Sequence, residues 1–313
     1  MSDQSPTTPW PAVAVVIPTR GRPVEVREAL ASVVAQDYPG PLEIVVVHDV
    51  EDPDTELESF TRDDRDVRVT SNSHRQGLAG SRNTGLDLTG AALVASCDDD
   101  DTWHPQKLAR QVERLHADPE LGVVGAGIRL LMGPEQAVDW PGDAEVVTQA
   151  DLLRSRRKEL HSSTLLVRRS VFDQVGGYEE GLPQGYGEDY EFLLRAVAAT
   201  KVGVVTEVLA DIRKYNQSWF RDRAEVTVQA LEYLLATHPE IATSRPGHAR
   251  VLGQIAFAKA TLGDRRGALR WSGRALRRWP VAPHAALALA QAATGVDPSV
   301  ALRSARTFGR GLT

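Results

Sequence analysis

The chain has 313 residues, of which 42% are hydrophobic and 25% are charged, as in an ordinary globular protein. Its single cysteine, Cys97, excludes an intrachain disulfide and a zinc site made of thiolates. The net charge of −6 is unevenly divided: from Ile241 onward 12 Lys and Arg stand against two Asp, a charge of +10, which leaves −16 for the first 240 residues. This asymmetry indicates two modules with different partners.

The first 11 residues are polar and proline-rich, which predicts a loose N-terminal arm. They lack the basic segment that opens a signal peptide. No stretch of the chain approaches the roughly 20 apolar residues of a membrane span. We therefore expect a cytoplasmic protein that does not cross a membrane.

Strands and helices alternate after the arm. The apolar run 12–17 is typical of a strand buried on both faces, and residues 26–34 place apolar side chains on one helical face. A second buried strand at 42–47 completes a βαβ unit, which predicts a parallel sheet with right-handed crossovers. Further strands are predicted at 67–69, 91–96 and 122–132, a strand running into a helix at 161–172, and helices at 105–117 and 185–200.

Four consecutive aspartates, Asp98 to Asp101, follow the strand at 91–96. At the carboxyl end of a parallel strand they would lie where open α/β sheets bind ligands. Carboxylates concentrated there repel one another, and Mg²⁺ or Mn²⁺ bound together with phosphate oxygens is the usual compensation. The alternative is an acidic, solvated loop.

Two other groups of residues leave their roles open when they are taken alone. Glu188 and Asp189 follow Gly187 at a helix start, where a carboxylate is either a helix cap or a general base near an acceptor hydroxyl. Arg82 lies in the glycine-rich segment GSRNTG. An arginine in such a segment either grips a diphosphate or is exposed on the surface.

Taken in order, these segments resemble the inverting family 2 glycosyltransferases, which have the GT-A fold. The resemblance covers residues 12–220 and runs through six motifs: VAVVIPTRGRP, LEIVVVHDVEDPDT, RQGLAGSRNTGL, ASCDDDDTWHPQKLARQ, HSSTLLVRRSVFDQVGGY and GYGEDYEFLLRA. The first is similar to the family's opening strand and nucleotide loop, the fourth to its DXD motif and the sixth to its ED motif. The resemblance implies an α/β fold with a Rossmann-like, mostly parallel sheet and flanking helices, in a domain at 12–222.

The resemblance also implies roles for single residues. Asp98 and Asp100 match the DXD pair, which contacts the nucleotide sugar and its metal, with Asp100 as the direct metal ligand. Asp189 matches the general base that takes the proton of the acceptor hydroxyl, and Glu188 would support it. The other donor-binding positions implied by the resemblance are Pro18, Thr19 and Arg20 near the nucleoside, Asp49 at the base, and Arg82 and Asp99 at the donor.

Two departures from the family pattern affect these expectations. The second strand of the family usually ends in Asp-Asp, whereas this chain has His48-Asp49, which leaves the identity of the nucleotide base open. Residues 216–219, NQSW, do not reproduce the Gln/Arg-x-x-Arg-Trp motif of processive members. We therefore expect the transfer of a single sugar rather than polymer synthesis.

Residues 223–313 are rich in alanine and arginine and predict a helical extension. Its small residues, turn and proline fall at the spacing of one tetratricopeptide-like hairpin, at Ala256, Gly263, Ala268, Ala275 and Pro280. Three arginines share one helix face: Arg270, Arg274 and Arg277. This face is interpreted as solvated, and the alternative is peripheral contact with anionic headgroups at the inner face of a membrane.

The resemblance thus implies a metal-assisted, inverting hexosyltransferase that uses Mg²⁺ or Mn²⁺ and a UDP-, GDP- or dTDP-sugar. The expected acceptor is a sugar, glycolipid or small molecule, in cell-surface polysaccharide, glycolipid or secondary-metabolite glycosylation, and nucleic acid is not expected as a partner. One alternative is a non-catalytic scaffold of the same fold that acts through its helical tail. Another is a phosphatase, because Asp98-x-Asp100-x-Thr102 fits a DxDxT pattern, although the later acidic segment of such enzymes is missing.

Overall fold

The structure, a computed structural model, describes residues 10–133, 136–214 and 224–294. The chain divides into two compact units. The first unit consists of Met1–Thr148, Arg157–Glu180 and Arg195–Lys214, and the second unit of Gln149–Arg156, Gly181–Leu194 and Tyr215–Thr313. The domain boundary at residue 222 stays a prediction. Most of the N-terminal arm and all of segment 216–219 lie outside the described residues.

The described strands of the first unit form one ten-stranded sheet. They are β1 (Val13–Thr19), β2 (Leu42–His48), β3 (Arg65–Ser71), β4 (Leu93–Ser96), β5 (Thr102–Trp103), β6 (Leu121–Gly133), β7 (Gln136–Trp140), β8 (Val146–Val147), β9 (Leu166–Arg168) and β10 (Lys201–Arg213). The strand order is β3-β2-β1-β4-β9-β6-β10-β5, with β7 paired to β6 and β8 to β10. The long strands pair in parallel: β1 with β2 and β4, β2 with β3, and β6 with β10.

Ten α-helices are described. They are α1 (Glu25–Val34), α2 (Leu78–Asp87), α3 (Lys107–Ala117), α4 (Gln149–Arg154), α5 (Arg169–Val175), α6 (Glu188–Ala199), α7 (Ala224–Thr237), α8 (Arg245–Thr261), α9 (Arg265–Arg278) and α10 (Pro283–Thr294). Short 3₁₀ helices lie at Thr55–Phe60, Lys158–Leu160, Ser162–Thr164, Pro183–Gly185 and Pro239–Thr243.

The predicted βαβ unit is confirmed by β1, α1 and β2. Every residue of β1 is buried, as its β-branched run predicts for a strand covered on both faces. Helix α3 buries the predicted Leu108, Val112 and Leu115, which join the same hydrophobic core as β1. Strands β5, β7, β8 and β10 were not predicted. The apolar run of β10 is interrupted by exposed Thr206 and Glu207 at the register shift between Val205 and Val208, which hides a long strand from pattern reading.

Glycines allow α2 to pack closely against the segment that precedes it and against β1. A Cβ atom on Gly80 would lie 1.9 Å from the backbone oxygen of Arg75, and one on Gly85 would lie 2.3 Å from Val16 Cγ1. At Gly80 no side chain can turn aside to relieve the clash, because the neighbouring atom belongs to the backbone. The glycine-rich motif therefore serves the close packing of this helix.

We expect Gly80→Ala to lower the free energy of unfolding by about 1–3 kcal/mol, as overpacking does elsewhere. The matched control is Gly273→Ala in α9, where an added Cβ meets nothing within 4 Å. The control should be neutral or stabilise by up to about 1 kcal/mol, because alanine is the better helix former. Urea denaturation measures both changes, and equal effects would contradict the packing argument.

The second unit is helical from α7 to α10, which confirms the predicted C-terminal helical extension up to residue 294. Three of the small residues noted in the sequence, Ala256, Ala268 and Ala275, are completely buried between α8, α9 and α10. Gly263 ends α8 with φ +80°, a conformation that favours glycine. The likeness of this hairpin to a tetratricopeptide repeat stays a prediction. None of the described helices is long and apolar enough to cross a membrane.

His238 connects two carboxylates in the second unit. Its Nε2 lies 3.1 Å from Glu191 Oε1 and its Nδ1 lies 2.7 Å from Glu240 Oε1. The hydrogen bond with Glu191 raises the pKa of His238 above 6.5; burial opposes this shift and Glu240 adds to it. A histidine whose pKa is raised on folding stabilises the protein fully below its unfolded pKa, and this contribution is lost as the pH rises through the folded pKa.

We therefore expect the difference in the free energy of unfolding between wild type and His238→Gln to become smaller as the pH rises from 6 to 8, so that the two proteins converge. Urea denaturation at several pH values gives this difference. The exposed His116 offers the control, because His116→Gln should keep the wild-type profile. A constant difference between wild type and His238→Gln across this range would show that the histidine acts only through packing.

Candidate functional site

The ends of three adjacent strands form the site in the first unit. Strands β2, β1 and β4 are neighbours and run in parallel, so the loops that follow them meet at one edge of the sheet. The Asp49 N–H donates to the Thr19 carbonyl at 2.9 Å, and the Cys97 N–H donates to the Val16 carbonyl at 3.0 Å. The loops that carry Pro18–Arg20, Asp49 and the four aspartates are thereby brought together, at the place where open α/β sheets bind ligands.

Asp99 holds the loop that follows β1. It accepts hydrogen bonds from Thr19 Oγ1 at 2.9 Å and from Arg22 Nη1 at 2.6 Å, and the Arg20 N–H lies at 3.4 Å. Arg22 Nη1 also lies 2.8 Å from Asp100 Oδ2. Burial raises the pKa of Asp99, although Arg22 and Thr19 act against the shift. Asp99 thus fixes the conformation of this loop through hydrogen bonds, whereas the Arg20 side chain is largely exposed.

Asp49 and His48 have different tasks in the turn after β2. Asp49 Oδ1 accepts from Asn72 Nδ2 at 3.0 Å and from the Gly77 N–H at 3.2 Å. His48 contacts Glu51 Oε1 through Nδ1 at 3.0 Å, and its Nε2 accepts from the backbone of the same turn at 3.3 Å. His48 therefore stabilises the turn, in the position where the family pattern has a second aspartate. Base recognition by Asp49 stays a prediction.

Asp98 is paired with a buried arginine. Arg82 is only 1% exposed, and its Nη2 lies 2.5 Å from Asp98 Oδ1 while its Nε donates to Ser96 Oγ at 3.0 Å. Ser162 Oγ donates to the other oxygen of Asp98 at 2.8 Å. Burial alone would raise the pKa of Asp98, but Arg82 and His161 hold it below its usual value. Arg82 thus orients Asp98 from inside the protein, and a direct contact of Arg82 with the donor stays a prediction.

Asp101 and His161 join Asp98 in a group that the sequence analysis did not identify. One ligand atom from each of the three residues lies within 4.8 Å of the others. Asp101 is 1% exposed and accepts from Ser163 Oγ at 2.5 Å and from the Arg213 N–H at 3.1 Å. His161 opens the motif HSSTLLVRRSVFDQVGGY, but only the folded chain shows which residues it faces.

Negative charge at this site exceeds the positive charge that balances it. Burial, and next the charge of Asp98, raise the pKa of Asp100 to about 6, with Arg22 opposing. The same two causes raise the pKa of Asp101 well above its usual value. Carboxylate oxygens with one imidazole fit a divalent cation such as Mg²⁺ or Mn²⁺, which would offset this repulsion. Asp98 belongs to the group of three and Asp100 does not, so the ligand role of Asp100 stays a prediction.

The predicted acidic pair lies at the N-terminus of α6, in the second unit. Asp189 is 8% exposed and Glu188 is 5% exposed. The two oxygens of Asp189 lie 2.7 and 2.9 Å from Arg156 Nη2, and Oδ1 also accepts from the Tyr190 N–H at 2.7 Å. Arg156 was missed by the sequence analysis, because it stands 33 residues before Asp189. The arginine orients the Asp189 carboxylate, which a positioned base requires.

The chain is similar to proteins of known families. The model of the family described as Glycosyl transferase family 2 matches residues 14–175. The GalNAc(5)-diNAcBac-PP-undecaprenol beta-1,3-glucosyltransferase of Campylobacter jejuni is 34% identical over 94 residues, which are 29% of this chain and 30% of that protein. The chain thus matches less than a third of the length of this relative.

Two solved structures show a similar fold. S. aureus TarS 1–349 in complex with UDP has a TM-score of 0.58 at 17% identity, covering 91% of this chain and 92% of that one. The mannosyltransferase PcManGT from Pyrobaculum calidifontis, in complex with GDP-Man and Mn²⁺, has a TM-score of 0.59 at 21% identity, covering 96% and 81%. These likenesses confirm the expected GT-A fold.

Proposed function

Since the chain belongs to glycosyl transferase family 2, we propose that it transfers a single sugar from a nucleoside-diphosphate sugar to an acceptor hydroxyl, with inversion. The observation that carries this proposal is the oriented carboxylate group after β4, where Asp98 is held by Arg82 and Asp99 by Thr19 and Arg22. The family match also removes the support for a phosphatase, in which Asp98 would be a nucleophile.

The donor side of the proposed reaction depends on the loops at the ends of β1, β2 and β4. Asp98, with Asp101 and His161, would hold Mg²⁺ or Mn²⁺, and Asp100 would complete the predicted DXD pair. When bound, the cation neutralises charge on the departing diphosphate. Pro18, Thr19 and Arg20 line the loop that would contact the nucleoside, and Asp49 would bind its base.

The acceptor side of the proposed reaction depends on Asp189. Displacement with inversion occurs in one step, so the acceptor hydroxyl must lose its proton as it attacks the anomeric carbon. Asp189 would accept that proton, and Arg156 would keep the carboxylate in position through its two contacts. Glu188, which is buried beside Asp189, would support the base.

The nucleotide can be identified by thermal shift with UDP, GDP and dTDP, each with and without Mn²⁺. UDP and GDP-Man are bound in the two similar structures, so these nucleotides are the first to test. A ligand at 100 times its dissociation constant stabilises by about 2.7 kcal/mol, which should raise the Tm by about 2–8 °C. The corresponding nucleosides serve as controls. If no diphosphate shifts the Tm, the proposed function is wrong.

We further propose that the acceptor is a lipid-linked sugar and that the protein works in the cytoplasm at the inner face of the membrane. The Campylobacter relative is named for an undecaprenol-linked acceptor. Three exposed arginines of α9, Arg270, Arg274 and Arg277, offer a basic face to anionic headgroups. Sedimentation with anionic vesicles at low salt should pellet the protein, and 0.5 M salt should release it. Protein that stays in the supernatant at low salt would contradict membrane contact.

A further inference from the structure

A cleft in the second unit is lined by two arginines, one of which, Arg156, contacts Asp189. Its polar lining is Arg156, Tyr186, Tyr190, Arg250 and Gln254, which we call the arginine cleft. Apolar residues of α7 and α8 complete the walls. Asp189 reaches this cleft through Arg156, to which it is bonded. The arginine cleft therefore adjoins the predicted general base.

Arg250 differs from Arg156 in having only neutral partners. Its Nη1 donates to Gln254 Oε1 at 3.2 Å, its Nη2 to the Tyr190 hydroxyl at 3.3 Å and its Nε to the Arg154 carbonyl at 3.4 Å. In the part of the chain that the structure describes, no carboxylate lies within ion-pair distance of Arg250. Arg250 is half-buried, and a charge that is partly removed from water without a counterion is costly, so an anion bound there would be favourable.

Positive charge is concentrated around Tyr190. The guanidinium carbons of Arg156 and Arg250 lie 5.5 and 5.8 Å from the centre of its ring. Asp189 forms an ion pair with Arg156, and the charge of Glu188 also acts on Arg156, whereas no described carboxylate forms an ion pair with Arg250. Burial lowers the pKa of His284 to about 4, and the charge of Arg250 adds to the shift. His284 Nδ1 is also buried without a hydrogen-bond partner among the described residues. The surroundings of the arginine cleft thus favour an anion.

We propose that the arginine cleft binds a phosphate group of the acceptor. This inference rests on the proposed function, because it assumes that Asp189 receives the acceptor hydroxyl. A guanidinium carries five N–H donors in a planar fork that matches phosphate oxygens. Arg250 uses three of these donors, all in contacts of 3.2 Å or longer, and the hydrogen bonds of Arg156 to Asp189 use only its Nη2. The remaining donors of both arginines suit the several oxygens of a phosphate.

A phosphate bound there would have a specific consequence for the reaction. It would anchor the charged end of the acceptor beside α6, so that a hydroxyl of the adjoining sugar is presented to Asp189. Arg156 would then have two roles, because it would orient the Asp189 carboxylate and also contact the phosphate. Acceptors that lack the phosphate should bind more weakly, whereas donor binding should be independent of Arg250.

The first test is a ³¹P NMR titration of the full chain with inorganic phosphate in EDTA, which keeps divalent metal out of the donor site. We expect Arg250→Gln to raise the Kd at least tenfold. Arg245→Gln, an exposed position on the same helix, is the matched control and should bind as wild type does. If Arg250→Gln proves poorly folded, Arg250→Lys keeps the charge without the planar fork and should give an intermediate Kd. Wild-type affinity in a folded Arg250 variant would overturn the proposal.

A second titration distinguishes the two sources of such a phosphate. If geranyl phosphate binds more tightly than methyl phosphate, the cleft recognises a lipid-linked phosphate; if the two bind equally, it recognises the phosphate alone. Either result supports the proposal, provided that Arg250→Gln weakens both. If the variant weakens neither ligand, the proposal is wrong.

Nucleotide binding separates failure of this inference from failure of the proposed function. Thermal shift with the nucleoside diphosphate and Mn²⁺ should be the same for wild type and Arg250→Gln. With a phosphate-bearing acceptor, the variant should raise the KM for the acceptor and leave the KM for the donor unchanged. Normal nucleotide binding with unchanged phosphate binding would reject the arginine cleft alone, whereas the absence of nucleotide binding in wild type would reject the proposed function.

Discussion

Replacing Asp189 by asparagine is expected to lower kcat by about 10²–10⁴-fold and to leave the donor Kd within about twofold of wild type. The amide keeps the shape of the side chain and an oxygen that can accept from Arg156 and from the Tyr190 N–H. It cannot take the proton of the acceptor hydroxyl. Steady-state kinetics with saturating donor and acceptor measure kcat, and a nucleotide titration measures the donor Kd.

Two controls show whether this loss is specific to the base. Asp173→Asn changes an exposed carboxylate in α5 and should leave kcat unchanged. Glu188→Gln should cost less than Asp189→Asn, because the resemblance assigns Glu188 a supporting role. A kcat near that of wild type for Asp189→Asn would place the base elsewhere, and equal losses in both acidic positions would remove the distinction between them.

Asp98→Ala and Asp100→Ala are expected to differ in stability although both weaken Mn²⁺-dependent nucleotide binding. Removing Asp98 takes away the carboxylate that lies 2.5 Å from the guanidinium of Arg82, which is 1% exposed, and breaking a buried pair costs about 3–5 kcal/mol. Asp100 has a folded pKa raised to about 6, chiefly by burial and by Asp98, so its ionised form lowers stability at pH 7. Asp100→Ala should therefore leave stability unchanged or increase it.

Urea denaturation at pH 7 compares the two variants, and thermal shift with nucleotide and Mn²⁺ reports the site. The double variant Asp98→Ala with Arg82→Met removes both charges of the pair and should recover part of the stability lost in Asp98→Ala. It should not recover nucleotide binding. Equal destabilisation by Asp98→Ala and Asp100→Ala would show that the ion pair of Arg82 with Asp98 does not contribute specially to stability. Nucleotide binding that survives Asp98→Ala would show that Asp98 does not belong to the donor site.

The hydrophobic pattern predicted the strands that are covered on both faces, and it missed those with a different environment. The run 12–17 could be read because every residue of β1 is buried, so the strand is apolar without interruption. Strand β10 could not, because exposed Thr206 and Glu207 lie at its register shift. Short strands such as β8, with two residues, have no pattern of their own and exist only through their pairing with β10.

The residues of the candidate site also fall into those that the sequence identified and those whose contacts only the fold shows. Asp98, Asp99, Asp100 and Asp189 were named from motifs, because the spacing of an acidic motif from a strand end or a helix start is a local property. Asp101 stands in the same run, yet its burial and its contact with Ser163, 62 residues away, are not visible in that run. His161 faces it only after folding, which is why the group of three was not predicted.

The sequence by itself determined which elements carry the acidic residues and the family to which those elements point, since the hydrophobic period and motif order depend on neighbouring residues alone. Only the tertiary structure decided which charge each acidic residue meets, because ion pairs join segments that are far apart in the chain. The pairs that it decided are Arg22 with Asp99 and Asp100, Arg82 with Asp98, and Arg156 with Asp189. It also left Arg250 with neutral partners only among the described residues, and that imbalance of charge indicates where a ligand is needed.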